Sequence, residues 1–275
     1  MSEGVVRVAA VQLNSQDDVA ANLATIAEIL AKASDDGARV AVLPENFALM
    51  PQRGRDKARH AEPEGEGPIQ QFLAEQAKSL GLWIVGGSLP LASPDEQRVY
   101  GASVVVDDSG VTRAVYRKIH LFDVDLGSSG ESYRESHSMM PGDDIVCVDT
   151  PAGRLGLTIC YDLRFPELFR RLLDDGARWF TVPAAFTQTT GAAHWHVLLR
   201  SRAVENLAWV VAPGQFGRHP DARSTYGHSL ICDPWGQVVA ESGDAAGFVA
   251  ADLDLAAQDR LRDEFPALKN RRLTD

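Results

Sequence analysis

Short apolar runs alternate with stretches of helical periodicity along this chain, and that alternation restricts the fold more than any other feature. Residues 5–13 (VVRVAAVQL) read as a buried strand. Ser15, with Asp18 three residues on, resembles a capping box. Val19, Leu23, Ile26, Leu30 and Ala33 then follow at helical spacing toward a stop at Gly37. Residues 39–43 form a β-rich run that Pro44 ends, a second amphipathic helix is predicted over 68–80, and 82–85 is the next strand. The period then shortens to two. Residues 99–106 and 111–118 predict one hairpin, and 145–148 with 154–159 predict another. Between them, the polar, Gly- and Ser-rich segment 123–143 is long enough to be a functional loop. Helix and strand alternate again at 166–175, 178–183, 192–206 and 208–212. A hairpin (228–233 with 237–241), a strand (247–253) and a short helix (255–264) complete the chain.

No linker or composition break divides the 275 residues, so 1–275 is read as one domain. The fold class is α/β: two β-rich layers bury these runs, and helices cover their outer faces. The halves echo one another loosely, without an alignable repeat. A net charge of −11 argues against nucleic acid or an anionic membrane as the main partner. The most basic run, RGRDKARH at 53–60, reads as a solvated loop. No signal pattern opens the chain, and no run reaches the ~20 apolar residues of a membrane span. Three cysteines without regular spacing make no disulfide framework, so a reducing cytoplasm is the expected setting.

Three reactive side chains stand at the ends of apolar runs: Glu45 in VAVLPEN, Lys118 in AVYRKIHLFD and Cys160 in RLGLTICYDLRFPE. Each alone has an ordinary reading, as a loop carboxylate, an exposed strand end and a core thiol. Cys147 and Cys232 keep that core reading. Cys160 differs, because it lies between a strand and a predicted helix. A turn of that kind exposes a nucleophile, aims the Tyr161 backbone N–H at a forming oxyanion, and lets helix N–H groups lower the thiol pKa. Thiol, carboxylate and ammonium together are what amide hydrolysis through a thioester requires. A carboxylate that serves in turn as base, acid and base is expected to have its pKa raised toward neutrality by burial.

LPEN, RKIHLFD and ICYDLRFPEL resemble the signature blocks of the nitrilase superfamily, in its order and approximate spacing, from Val6 to about Arg272. The resemblance implies a four-layer α-β-β-α sandwich, a Glu45–Lys118–Cys160 triad, a second glutamate at Glu135, and a homodimer packed through helices near the site. It implies a small-molecule amide substrate and no cofactor. FTQTTGAAHW (186–195) and GQFGRHPDARSTYGHSLICDPWG (214–236) are similar to the deaminated-glutathione amidase branch. Hydrolysis of deaminated glutathione to 2-oxoglutarate and Cys-Gly is therefore expected. An ω-amidase acting on α-ketoglutaramate, or another nitrilase-branch amidase or carbamoylase, is the alternative. For an anionic substrate Arg164 is the candidate carboxylate clamp, against an ion pair with Asp162 or Glu167. Thr189, Thr190 and His194 are further candidates for the pocket. DLGSSGES (125–132) departs from the family, where a Pro–Gly turn is more usual.

Other chemistries fit less well. His120, Asp123 and Asp125 have no HExxH or CxxC partner, and His194 and His196 point to opposite sides of a helix, so no metal site is expected. VGGS (85–88) lacks a P-loop lysine and reads as a strand-end turn. A non-catalytic binding role would leave the complete triad unexplained.

Overall fold

The computed structural model describes residues 4–127 and 130–273. Alternation within the strand Val5–Gln12 sets its layering. Val8 and Ala10 cluster with Leu155, Leu157, Phe180 and Val210 of a second sheet, whereas Ala9 and Val11 cluster with Ile26, Leu30 and Leu73 of two helices. All four are fully buried. One sheet runs in the order Gly247–Asp254, Val5–Gln12, Val40–Val42, Trp83–Ala92, Val99–Val106, Thr112–Arg117, and Met139–Met140 adds beside Val99–Val106. The other runs Val238–Glu241, Leu230–Cys232, Trp209–Ala212, Trp179–Thr181, Gly153–Leu157, Cys147–Thr150.

Each sheet holds three parallel strands flanked by antiparallel ones. Parallel neighbours need crossover helices. In the first sheet these are α1 (Val19–Asp35) and α2 (Pro68–Leu80), and in the second α3 (Pro166–Asp174) and α4 (Gln188–Asn206). α1 and α2 cover the first sheet's outer face, and Phe169, Leu172, Leu199 and Ala203 dock α3 and α4 on the second. The four-layer sandwich expected from the sequence is present, and the echo between halves is this repeated strand–helix–strand–helix–strand unit. A last helix, α5 (Leu255–Glu264), follows the strand that returns to Val5–Gln12. No helix among the described residues is long and apolar enough to cross a membrane.

Several local expectations are corrected. α1 is capped by Asp18, which accepts from Ala21 N at 3.1 Å. Ser15 is instead buried and donates to the Phe47 carbonyl at 2.7 Å. VGGS lies inside the strand Trp83–Ala92, at a bulge between Gly86 and Leu89, and not at a strand end. α4 starts at Gln188 because Thr187 supplies a cap, accepting from Thr190 N. Segment 123–143 contains a hairpin, Asp123–Leu126 with Glu131–Arg134, and a 3₁₀ turn, Glu135–His137. Ser128 and Ser129, in the stretch that departs from the family, lie outside the described residues. A hairpin of Phe216–Arg218 with Ser224–Tyr226 was not foreseen. RGRDKARH is no simple solvated loop: it forms the 3₁₀ turn Gly54–His60, which walls the cavity described below.

Two contacts fix the turns that carry the candidate residues. Cys160 opens the 3₁₀ segment Cys160–Arg164 at φ 50°, a left-handed conformation uncommon outside glycine. Fully buried Asp162 holds it there. One of its oxygens accepts from Ile159 N (2.8 Å) and the Tyr116 hydroxyl (2.7 Å), and the other accepts from His120 N (3.0 Å) and meets His120 Nδ1 at 2.7 Å. The carboxylate so ties the Cys160 turn to the strand end that bears Lys118. On the other side, Gly87 packs under the turn leading to Glu45. A Cβ at Gly87 would lie 2.1 Å from both the Leu43 and Pro44 carbonyl oxygens.

Backbone cannot swing away from such an overlap as a side chain can. Gly87→Ala is therefore expected to destabilise the protein by about 3 kcal/mol and to lower activity by displacing Glu45. Thermal melting and turnover check this together, and an unchanged Tm with full activity would contradict it.

Candidate active site

Glu45 follows the parallel strand Val40–Val42, Lys118 follows Thr112–Arg117, and Cys160 follows Gly153–Leu157. The two parallel strands deliver their residues to the carboxyl edges of the two sheets, where crevices form in α/β folds. The structure brings all three together with Glu135. Lys118, 1% exposed, donates to Glu45 Oε1 at 2.8 Å and to both Glu135 oxygens at 3.0 and 2.9 Å. Each carboxylate is anchored by a further donor: Ala185 N reaches Glu45 Oε2 at 2.9 Å, and Phe122 N reaches Glu135 Oε2 at 2.7 Å. The Cys160 thiol stands close enough to Glu45 for each group to shift the titration of the other. Gln215, 1% exposed, spans the layers: it accepts from Ser15 N at 2.9 Å and donates to Ser15 Oγ at 2.8 Å and to the Glu45 carbonyl at 3.1 Å.

The electrostatics correct two expectations. Burial pushes the Glu45 carboxyl upward, but the charge and hydrogen bond of Lys118, helped by Cys160 and the Lys57 charge, together outweigh it, and the group lies below its ordinary value rather than near neutrality. Burial, and then the Glu45 charge, push the Cys160 thiol well above its ordinary value, against the weaker pull of Lys118. The expected lowering of that thiol does not occur. Burial alone would depress Lys118, yet the charges of Glu135 and Glu45 hold it well above its usual range. The resting set is thus carboxylate, ammonium and neutral thiol. Such a set can pass a proton from sulfur to Glu45 as sulfur bonds to carbon.

An open cavity of about 200 Å³ adjoins these groups. Of the four predicted binding residues, Arg164 and Thr190 line it, whereas Thr189 and His194 are exposed and outside its lining. His194 meets Arg164 Nη1 at 3.2 Å. Arg164 lies over the Tyr161 and Phe186 rings, 5.7 and 5.2 Å from their centroids. Neither Asp162 nor Glu167 pairs with it, so the ion-pair alternative fails. Tyr161 itself stands edge-on to Phe122 and Phe165, at 5.1 and 5.4 Å.

Lys57, Arg134, Asp221 and Arg223 also line the cavity, and the sequence reading singled out none of them. Only the "GRH…YGHS" stretch, which contains Asp221 and Arg223, carried a signal. Asp162, which orders the nucleophile turn, was noticed only as a partner for Arg164. Away from the cavity, His196, His228 and Glu241 have potential ligand atoms within 4.8 Å of one another. Both imidazoles bond the same Glu241 oxygen, at 2.9 and 2.7 Å, which satisfies that cluster by itself. Cys232 is fully buried, and Cys147 is half-buried with its thiol pushed up to about 12, chiefly by burial.

Known proteins carry the same arrangement of chain. The sequence is 40% identical over 266 residues to the deaminated glutathione amidase of Yersinia enterocolitica, covering 96% of this chain and 92% of that one. It is 40% identical over 269 residues to the Homo sapiens deaminated glutathione amidase, covering 96% and 82%. The structure matches Saccharomyces cerevisiae Nit3, a member of branch 10 of the nitrilase superfamily, with a TM-score of 0.88, 32% identity and coverage of 98% and 97%. The sequence pattern of the family described as carbon-nitrogen hydrolase matches residues 7–263. On these grounds the chain belongs to the carbon-nitrogen hydrolase family and is a C–N hydrolase.

Proposed function

We propose that this chain is an amidase that opens the amide of a small carboxylate substrate through a thioester on Cys160. Deaminated glutathione, giving 2-oxoglutarate and Cys-Gly, is the substrate this reading favours. One observation carries it: a buried ammonium bonded to two carboxylates, one of which lies within electrostatic reach of the Cys160 thiol. Sulfur attacks the carbonyl carbon while Glu45 takes its proton. The oxyanion is held by the Lys118 ammonium and the Tyr161 backbone N–H. Glu45 returns the proton to the departing nitrogen, because an unprotonated amine leaves poorly. It then deprotonates a water that attacks the thioester, and the thiol regains the proton as it leaves. Glu135 orients Lys118 throughout.

The names of the relatives and the cations in the cavity support the anionic substrate. The same reading includes a homodimer and a cytoplasmic setting. Val197 and Val204, seven residues apart on one face of α4, are 58% and 49% exposed, and all three cysteines are free.

Three outcomes test this. Cys160→Ala, Glu45→Gln and Lys118→Ala should each lower kcat by at least ~10²–10³, and an acyl adduct on wild-type Cys160 should be seen by mass spectrometry. Near-wild-type turnover by any of the three would falsify the assignment. The base must be ionised, and Glu45 lies below its ordinary value. kcat/KM should therefore stay level from neutral pH downward and fall only as acid protonates Glu45. An acid limb centred near pH 7 would contradict this. Purified protein should also turn over deaminated glutathione with higher kcat/KM than α-ketoglutaramate. The reverse order would favour the ω-amidase alternative.

A further inference from the structure

Two cations in the cavity have no part in the reaction steps above. Lys57 comes from the turn Gly54–His60, and Arg223 from the hairpin of Phe216–Arg218 with Ser224–Tyr226. The Lys57 ammonium is half-buried, donates to Asn46 Oδ1 at 2.7 Å, and otherwise meets Met139 Sδ at 4.0 Å. An ammonium carries three donors. None of the described ion pairs includes Lys57. Arg223 donates to Asp221 Oδ2 at 2.7 Å and lies over the Tyr133 ring at 6.0 Å, while its buried Nε has no hydrogen-bond partner. Burial depresses the Lys57 ammonium, the charges of Glu135 and Glu45 push it back up, and Arg223 is close enough for its charge to lower it by a smaller amount. Like charges gathered in a water-poor hollow repel one another, and the described ion pair of Asp221 is with Arg223. Glu45 and Glu135 act on Lys57 only through space, so its ammonium keeps donors that a substrate carboxylate in direct contact would engage.

The position of Glu45 says which part of a substrate would bring that anion. Glu45 must protonate the departing nitrogen, so the amine half lies on its side of the scissile carbon. Lys57 is bonded to Asn46, the next residue. Arg164, by contrast, springs from the Cys160 turn and lies against Tyr161 and Phe186, with no carboxylate partner among the described residues. We propose that Lys57 and Arg223 form a carboxylate subsite for the amine half of the substrate, leaving Arg164 for a carboxylate on the acyl half. The enzyme then selects amides whose amine product itself ends in a carboxylate, as a dipeptide does. This rests on the amidase reading above. The competing account is that Lys57 merely balances the charge of Glu45 and Glu135.

The test compares deaminated glutathione with its C-terminal carboxamide, in which only the distal charge is removed. Wild-type kcat/KM should favour the acid by roughly 10–100-fold, as for a charged hydrogen-bond pair. In Lys57→Met the ratio should fall toward one, through KM, and Lys57→Arg should restore it. An unchanged ratio would overturn the proposal. So would a loss shared equally by both substrates through kcat, as charge balancing requires, or an equal loss toward α-ketoglutaramate, whose carboxylate is on the acyl half. A second readout needs no turnover: protection of Cys160 from iodoacetamide by alanylglycine against alanylglycinamide, followed by mass spectrometry. The acid should protect better in wild type, and the difference should vanish in Lys57→Met. Equal protection by the two dipeptides in wild type overturns the subsite. If deaminated glutathione is not turned over, the substrate reading fails, and the protection experiment still decides the subsite.

Discussion

A lysine ammonium removed from water is tolerable only when anions surround it, and Lys118 sets that condition for the whole site. Taking an unpaired ammonium out of water costs several kcal/mol even after relaxation. Glu45 and Glu135 offset this because both are pinned by backbone donors, at Ala185 and Phe122. Those donors belong to distant stretches, so the ammonium forces the first sheet, the second sheet and the 123–143 segment to one point. It also helps explain why Glu45 rests ionised despite burial: loss of water is the largest single effect, but the charge and hydrogen bond of Lys118, with smaller help from Cys160 and Lys57, together exceed it.

Much of this could be read from the chain, for identifiable reasons. α2 has the predicted bounds because Pro68 opens it, its apolar face is regular, and Gly81 ends it in the left-handed conformation. Glu45, Lys118 and Cys160 were visible because each stands at the end of an apolar run inside a block that resembles a family signature; singly, each has an ordinary reading. Lys57 and Arg223 were hidden by their surroundings: polar, basic turns have the composition of surface, and only the folded path shows that one side faces inward. Thr189 failed for a geometric reason. Adjacent helical positions differ by about 100°, and with α4 starting at Gln188 the cavity side falls to Thr190. The pKa directions needed burial weighed against the Lys118 charge, which no linear pattern contains.

The repeated strand–helix–strand–helix–strand unit places the chemistry without repeating it. Each half has a carboxyl edge, and the two edges meet across the sandwich. One presents the proton carrier, Glu45, and the other the sulfur, Cys160. The hairpin after the first unit adds the ammonium. The halves are alike in backbone and divided in labour, which is why the echo between them in sequence is faint: the residues that matter differ.

Gln215 has a consequence for how the molecule fails. Its carboxamide is rooted in the chain leaving the second sheet, yet grips Ser15 and the main chain of Glu45 in the first. It works as a rivet through two plates. Any stress that slides the plates apart pulls on the proton carrier first, so catalysis fades while both sheets still hold their strands, and loss of turnover becomes an early gauge of the sandwich coming undone.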